Sequence, residues 1–312
     1  MSGKIPLLVL NGLSSAHQAQ IAAVYDMTYA PTRAECAAAI AARGASFRAV
    51  LTIGVVGLTA EEIAAMPKLE LVCAMGAGYE CIAVEAARAR GIVIANGAGT
   101  NDDCVADHAF GLLIGTVRRI RTLDRLCRDG GWRDDIPQPP NVSGKKLGIL
   151  GLGTIGQKIA RRAAGFDMEV GYHNRKPREG VAHRYFDDLE ALARWADVLV
   201  VATPGGPGTR HMVNATVLDA LGPRGYLVNI SRGSVVDTEA LAAALREGRL
   251  AGAGLDVYES EPKRPESLIG LDNVLLTPHM AGWSPEATQK SVDRFMANAE
   301  GHFAGRGVVS PV

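Results

Sequence analysis

A chain of 312 residues exceeds what one core usually organises, and 47% hydrophobic content can fill a large interior, so two globular domains are expected and a disordered chain is excluded. Lys plus Arg and Asp plus Glu each number 33, which leaves no electrostatic footprint for nucleic acid or an anionic membrane. The five cysteines (Cys36, Cys73, Cys81, Cys104, Cys127) form no Cys-x-x-Cys pair and leave one over, so neither a disulfide framework nor a zinc site is expected; a soluble protein of the reducing cytoplasm with a small ligand fits.

The apolar run Ile5 to Leu10 is too short for a signal-peptide core or a membrane span, and no targeting segment is read there. From Ile5 to Gly97, β-rich runs at Ile5–Leu10, Phe47–Ile53, Leu69–Met75 and Ile92–Ala95 alternate with Ala-rich helical stretches. Two of those stretches open with capping boxes, Thr32 with Glu35 and Thr59 with Glu62. The alternation predicts βαβ units on a parallel sheet. Within it, Met75-Gly-Ala-Gly-Tyr79 reads as a strand-to-helix turn. A single long helix is predicted over Asn101 to Cys127, with Asp102 and Asp103 in its first turn and Arg118, Arg119 and Arg121 further on, as the helix dipole favours. Its apolar residues cover much of the circumference, so it is expected to be buried.

After the Pro- and Gly-rich stretch Gly130 to Gly144, strands are predicted at Leu147–Leu150, Glu169–Tyr172, Val198–Ala202, Tyr226–Ile230, Gly254–Val257 and Val274–Thr277, a second doubly wound sheet. The last helix starts at Ser284 as N-cap with Pro285 in its first position, and the tail is expected to return to the first domain.

Gly151-Leu-Gly153-Thr154-Ile155-Gly156 follows the strand ending at Leu150 and opens a helix. In that setting the three glycines serve a tight turn, close approach of backbone to pyrophosphate, and close packing of helix on strand. The acid that holds the ribose in NAD-binding units is missing, and the next strand ends in His173-Asn174-Arg175-Lys176. An acid about 5 Å from a 2′-phosphate would cost about 3 kcal/mol at an effective dielectric near 20, so its replacement by cations predicts NADP(H) over NAD(H) by about a hundredfold. The bland alternative is that Arg175, Lys176 and Arg178 form a solvated basic turn.

Three further strands run into chemically capable residues, Arg232, Glu261 and His279, at the carboxyl ends where doubly wound sheets bind ligands. A guanidinium there is suited to a carboxylate. The motifs Gly151–Gly156, Asn229-Ile-Ser-Arg-Gly-Ser-Val-Val-Asp237, Leu255-Asp-Val-Tyr258 with Glu261-Pro262, and Pro278-His-Met-Ala-Gly282, in that order, resemble the D-isomer-specific 2-hydroxyacid dehydrogenases over nearly the whole chain.

The resemblance implies that Arg232 anchors the carboxylate and carbonyl, His279 is the proton donor in reduction, and Glu261 is its partner. It further implies that Ala77 and Gly78 bind the substrate carboxylate through their N–H groups. Thr203, Pro204, Ser231, Asp256 and Gly282, with His279, would lie along the cofactor. Glyoxylate, hydroxypyruvate or a sugar-derived 2-oxo acid is the expected substrate, and a homodimer through the long helix is expected. A dinucleotide-sensing corepressor-like scaffold and a phosphoglycerate dehydrogenase-like enzyme are the alternatives. Formate oxidation is disfavoured, because formate-oxidising relatives carry glutamine where Glu261 stands. Gly205-Gly206 and Trp283 depart from the commoner pattern and bear on pocket size, while Trp132 either packs locally or reaches a partner subunit.

Other histidines (His17, His108, His183, His211, His302) read as surface or packing residues; Asp102-Asp103 with Asp107-His108 resemble a metal-ligand cluster, but acids in a first helical turn are ordinary dipole partners, and no metal is expected. The expected architecture is α/β: a Rossmann dinucleotide-binding domain, 101–280, inserted in a flavodoxin-like substrate domain, 1–100 plus 281–312. Both are doubly wound parallel sheets, and the chemistry is expected in the cleft between them.

Overall fold

The computed structural model describes residues 3–312, which fall into two compact units: 3–101 with 282–312, and 102–281. In the first, β1 (Pro6–Val9), α1 (Ser15–Val24), β2 (Asp26–Tyr29), α2 (Arg33–Arg43), β3 (Ala49–Ile53), α3 (Ala60–Ala64), β4 (Leu71–Met75), α4 (Val84–Ala89) and β5 (Val93–Ala95) alternate. The five strands form a parallel sheet of order β2-β1-β3-β4-β5, the flavodoxin-like winding. Both capping boxes form, at Thr32 with Glu35 and Thr59 with Glu62. Strand β2 escaped the sequence reading because it is short, polar at its start and half-buried at an edge.

The second unit opens with α5 (Asp102–Val117) and α6 (Ile120–Arg128). The predicted continuous helix is thus broken: Arg119 takes a left-handed conformation, φ 55°. The break has a packing cause. Helix α5 buries residues all round, from Val105 to Val117, whereas α6 buries none and lies on the surface. There follow β6 (Lys146–Leu150), α7 (Thr154–Ala163), β7 (Glu169–His173), β8 (Arg184–Phe186), α8 (Leu189–Trp195), β9 (Val198–Val201), α9 (Ala215–Leu221), β10 (Tyr226–Asn229), α10 (Thr238–Arg246), β11 (Gly252–Leu255) and β12 (Val274–Leu276). All pair in parallel in the order β12-β11-β10-β9-β6-β7-β8, a Rossmann sheet with one added strand.

Strands β9, β10 and β11 are buried along their whole length, as a sheet covered on both faces requires. Strand β11 begins two residues earlier than predicted. Its Gly252 and Gly254 lower strand propensity but admit α5: a Cβ on Gly254 would stand 2.8 Å from Thr116 Oγ1 and 3.0 Å from Leu112 Cβ.

Helix α11 (Pro285–Phe303), capped by Ser284, belongs to the first unit. It lays Val292, Phe295 and Ala299 on the sheet residues Leu7, Val9, Leu51 and Leu71, and the tail pairs Val312 N–H with the Ile94 carbonyl at 3.0 Å. No helix among the described residues is long and apolar enough to cross a membrane.

Candidate active site

In the larger unit the sheet order reverses between β6 and β9, and the carboxyl ends of the strands at such a switch point are where doubly wound sheets bind ligands. Gly151 turns the chain out of β6 with φ 99°, and a Cβ on it would lie 2.8 Å from the Ala202 carbonyl and Thr203 N. Only glycine fits that approach. A Cβ on Gly156 would sit 2.2 Å from Gly151 O, so α7 closes directly on the turn. Gly153, the N-cap of α7, faces open space and has no side-chain cap, which leaves the helix N-terminus open to an anion. These residues fit a dinucleotide pyrophosphate.

At the end of β7, Asn174 Oδ1 accepts the Leu152 N–H at 2.8 Å, tying this strand to the glycine turn. His173 Nδ1 donates to the Phe186 carbonyl, 2.9 Å, and so faces β8. The turn that follows is fastened by Arg178 N–H to the Tyr172 hydroxyl, 2.9 Å. Arg175 and Lys176 are exposed and make no ion pair among the described residues.

Arg232 follows β10. Asn229 shapes the turn, its Oδ1 accepting from Ser231 N (3.0 Å) and Oγ (2.9 Å) while its Nδ2 donates to the Arg232 carbonyl, 3.1 Å. Gly205 makes room for the arginine stem: a Cβ there would meet Arg232 Cγ at 2.7 Å. Gly233 is equally constrained, since its Cβ would stand 1.9 Å from the Tyr258 carbonyl carbon. The arginine loop and the loop after β11 are thereby pressed together.

Glu261 lies on that second loop. Its Oε1 accepts the Tyr258 N–H at 2.7 Å and its Oε2 meets His279 Nδ1 at 2.8 Å. The single Tyr258 hydroxyl proton lies between the carbonyls of Leu255 (3.0 Å) and Thr277 (2.8 Å), which fixes the loop against the segment carrying His279. His279 adopts φ 56°, a left-handed conformation that costs a non-glycine residue about 1–2 kcal/mol. Asp256 holds it there. The Asp256 carbonyl accepts His279 N–H at 2.8 Å, and its carboxylate accepts Met280 N–H, Ala281 N–H (both 2.8 Å) and the Thr277 hydroxyl (2.6 Å).

His279 and Glu261 are partly open, with side chains 36% and 28% exposed. The hydrogen bond that His279 donates to Glu261 raises the His279 pKa above its ordinary 6.5, against the opposing effects of burial and the Arg232 charge. Burial pushes Glu261 upward, but His279 and the Tyr258 N–H outweigh it and hold the carboxyl below the usual range. Nε2 of His279 has no partner among the described residues. The arrangement favours an imidazolium beside a carboxylate.

The sequence-predicted residues Gly151–Gly156, His173–Lys176, Thr203, Pro204, Ser231, Arg232, Asp256, Glu261 and His279 all fall at one edge of one sheet. Asp256, expected along the cofactor, is fully buried with its carboxylate engaged by the turn of His279. Ala77, Gly78 and Gly282 belong to the other unit. There Gly76 turns with φ 79°, Asn96 Nδ2 donates to the Ala77 carbonyl at 2.9 Å, and the N–H groups of Ala77 and Gly78 find no acceptor among the described residues. Trp283 is exposed. Sequence reasoning missed Asn229, Tyr258 and Thr277 as supports; it also took His108 for a surface or packing residue, although its Nε2 lies 2.9 Å from Thr277 Oγ1 and 3.4 Å from Asp256.

Residues 110–281 match the family model for the D-isomer specific 2-hydroxyacid dehydrogenase NAD binding domain. The chain is 41% identical over 274 residues to hydroxyphenylpyruvate reductase of Plectranthus scutellarioides, spanning 88% of each. The chain belongs to this family. It is 39% identical to 2-ketogluconate reductase of Gluconobacter oxydans over 86% of each chain. A solved NADPH-dependent glyoxylate/hydroxypyruvate reductase of Sinorhizobium meliloti, in complex with NADP and malonate, superposes with TM-score 0.91 at 36% identity, over 99% of this chain and 97% of that one. This D-2-hydroxyacid dehydrogenase is therefore a nicotinamide-dependent oxidoreductase, its chemistry the interconversion of 2-oxo and 2-hydroxy acids.

Proposed function

We propose that the protein reduces a small 2-oxo acid, glyoxylate, hydroxypyruvate or a sugar-derived acid, to the D-2-hydroxy acid, using NADPH in preference to NADH. The observation that carries this reading is the His279–Glu261 pair at 2.8 Å, with Nε2 left over, on the sheet edge that also bears Arg232. The bound dinucleotide supplies the hydride. His279, charged because Glu261 favours its imidazolium, gives its Nε2 proton to the carbonyl oxygen, a role that typically contributes about 10²–10⁴-fold. Arg232 grips the carboxylate and orients the carbonyl. Ala77 and Gly78, whose N–H groups take no acceptor among the described residues, are the proposed further donors to the carboxylate. In the oxidative direction neutral His279 accepts the proton.

Dinucleotide binding is assigned to Gly151, Gly153, Thr154, Ile155 and Gly156 at the pyrophosphate, with Thr203, Pro204, Ser231 and Gly282 along its length. The NADP(H) preference rests on Arg175 and Lys176, exposed and without an ion-pair partner among the described residues, beside Asn174, where an acid would repel a 2′-phosphate. A homodimer is proposed through the α5–α6 region, where Ile120 and Trp132 stand 50% and 68% exposed. A panel of 2-oxo acids assayed with NADPH and NADH by loss of reduced-nicotinamide absorbance tests the proposal. Turnover of at least one small 2-oxo acid, about tenfold or more better with NADPH, is expected. A clear NADH preference would end the cofactor assignment, and no turnover of any acid despite cofactor binding would end the substrate assignment.

A further inference from the structure

We propose that His108 is a positioning residue for His279, acting through the Thr277 hydroxyl and the Asp256 carboxylate; this rests on the reading of His279 as the proton donor. His108 lies on α5, one turn before Leu112, which packs on Gly254 two residues short of Asp256. The helix face that covers β11 therefore also delivers this imidazole to the floor of the turn at 277–281.

Proton counting fixes its role. The Thr277 hydroxyl has one proton, and at 2.6 Å from Asp256 Oδ1 that proton goes to the carboxylate. His108 Nε2, 2.9 Å from the same hydroxyl oxygen, must then be the donor. Its second neighbour agrees, because a bare nitrogen lone pair 3.4 Å from Asp256 Oδ1 would be repelled, whereas an N–H is attracted. The chain of donors thus runs from His108 to Thr277 to Asp256. Asp256 in turn receives the N–H groups of Met280 and Ala281 on its carboxylate and that of His279 on its carbonyl. Without the imidazole donor, the Thr277 hydroxyl and the Asp256 carboxylate each lose one of the contacts that fix them under the left-handed turn. A misplacement of the proton donor by even about 1 Å lowers turnover steeply.

The test uses the whole chain with its best 2-oxo acid and reduced cofactor, in His108→Leu, His108→Gln, Thr277→Val and His108→Leu/Thr277→Val variants. Partners that orient metal ligands at one remove change activity about 10–100-fold, and the same order is expected of a support that orients a proton donor. His108→Leu is expected to lower kcat about tenfold with cofactor Kd and melting temperature little changed. His108→Gln, which keeps a side-chain N–H donor, should recover most of that loss, and the double variant should be no slower than Thr277→Val alone. A kcat for His108→Leu within twofold of the parent, equal impairment of the Leu and Gln variants, or multiplying losses in the double variant overturns the proposal. His279→Gln, run alongside, separates the claims. Turnover lost there but intact in His108→Leu sinks only the positioning role, whereas turnover kept in His279→Gln sinks the reading beneath it.

Discussion

Two histidines of the larger unit, His211 and His279, share an unusual backbone, with φ 50° and 56°, and each is hydrogen-bonded to a glutamate on the loop after β11. His211 Nε2 meets Glu259 Oε1 at 2.7 Å, and His279 Nδ1 meets Glu261 Oε2 at 2.8 Å. They differ in what is left over. The other nitrogen of His211 faces Asp237 at 3.8 Å, while the other oxygen of Glu259 takes the Thr238 N–H and hydroxyl. That pair joins three loops, and its remaining nitrogen is turned toward a second carboxylate. His279 Nε2 has no partner among the described residues and stands within the field of Arg232, so its pair is held as firmly while one nitrogen stays open. A His–Glu bond thus does not by itself distinguish the two; what the remaining nitrogen faces does.

The sharpest way to break this comparison is His279→Gln, expected to lower kcat by about 10²–10⁴-fold with cofactor affinity changed less than about threefold. Steady-state kinetics and cofactor titration decide it, and an unaltered turnover number would refute the proton-donor role. Arg232→Ala comes next: removing a charge-assisted carboxylate contact should reduce kcat/KM for the acid about 10²-fold or more, and an unchanged value would remove the anchor from the scheme. Glu261→Gln should be milder in rate, about 10–100-fold, but diagnostic in pH. On the proposed mechanism reduction needs protonated His279, so activity should fall as pH rises through its elevated pKa. With the Glu261 carboxylate gone, burial and Arg232 act unopposed by it, and the high-pH limb should move to lower pH. A limb that stays in place would show that another group sets it.

How far the sequence anticipates this site follows from how local each signal is. Gly151, Gly153 and Gly156 are recognisable because their spacing is dictated by one turn and one helix, and the strands β6, β9 and β10 because both faces are buried and the apolar runs are continuous. Edge strands β2 and β8 are short and polar enough to look like loop. The break at Arg119 is invisible because α5 and α6 differ in what they pack against rather than in helical pattern. Most hidden are the supports of His279. Thr277 and Asp256 are separated by 21 residues and His108 and Thr277 by 169, so nothing in local spacing links a histidine on α5 to a turn after β12.

The smallest effect, and the one that tests the other half of the comparison, is expected for Glu259→Gln. Loss of its bonds to His211 and Thr238 should lower stability by about 1–3 kcal/mol, since hydrogen bonds to a charged group are involved, with kcat changed less than about threefold. Burial pushes the Glu259 carboxyl upward, but His211 and Thr238 outweigh it and its pKa lies below the ordinary 4.5. A depressed carboxylate stabilises fully above its unfolded pKa and ceases to do so as pH falls through the folded value. The gap in denaturation midpoint between parent and variant should therefore be constant near neutrality and close in acid, below about pH 4.5. A Glu259→Gln enzyme slower than Glu261→Gln, at unchanged stability, would mean that the structural and catalytic roles of the two pairs are reversed.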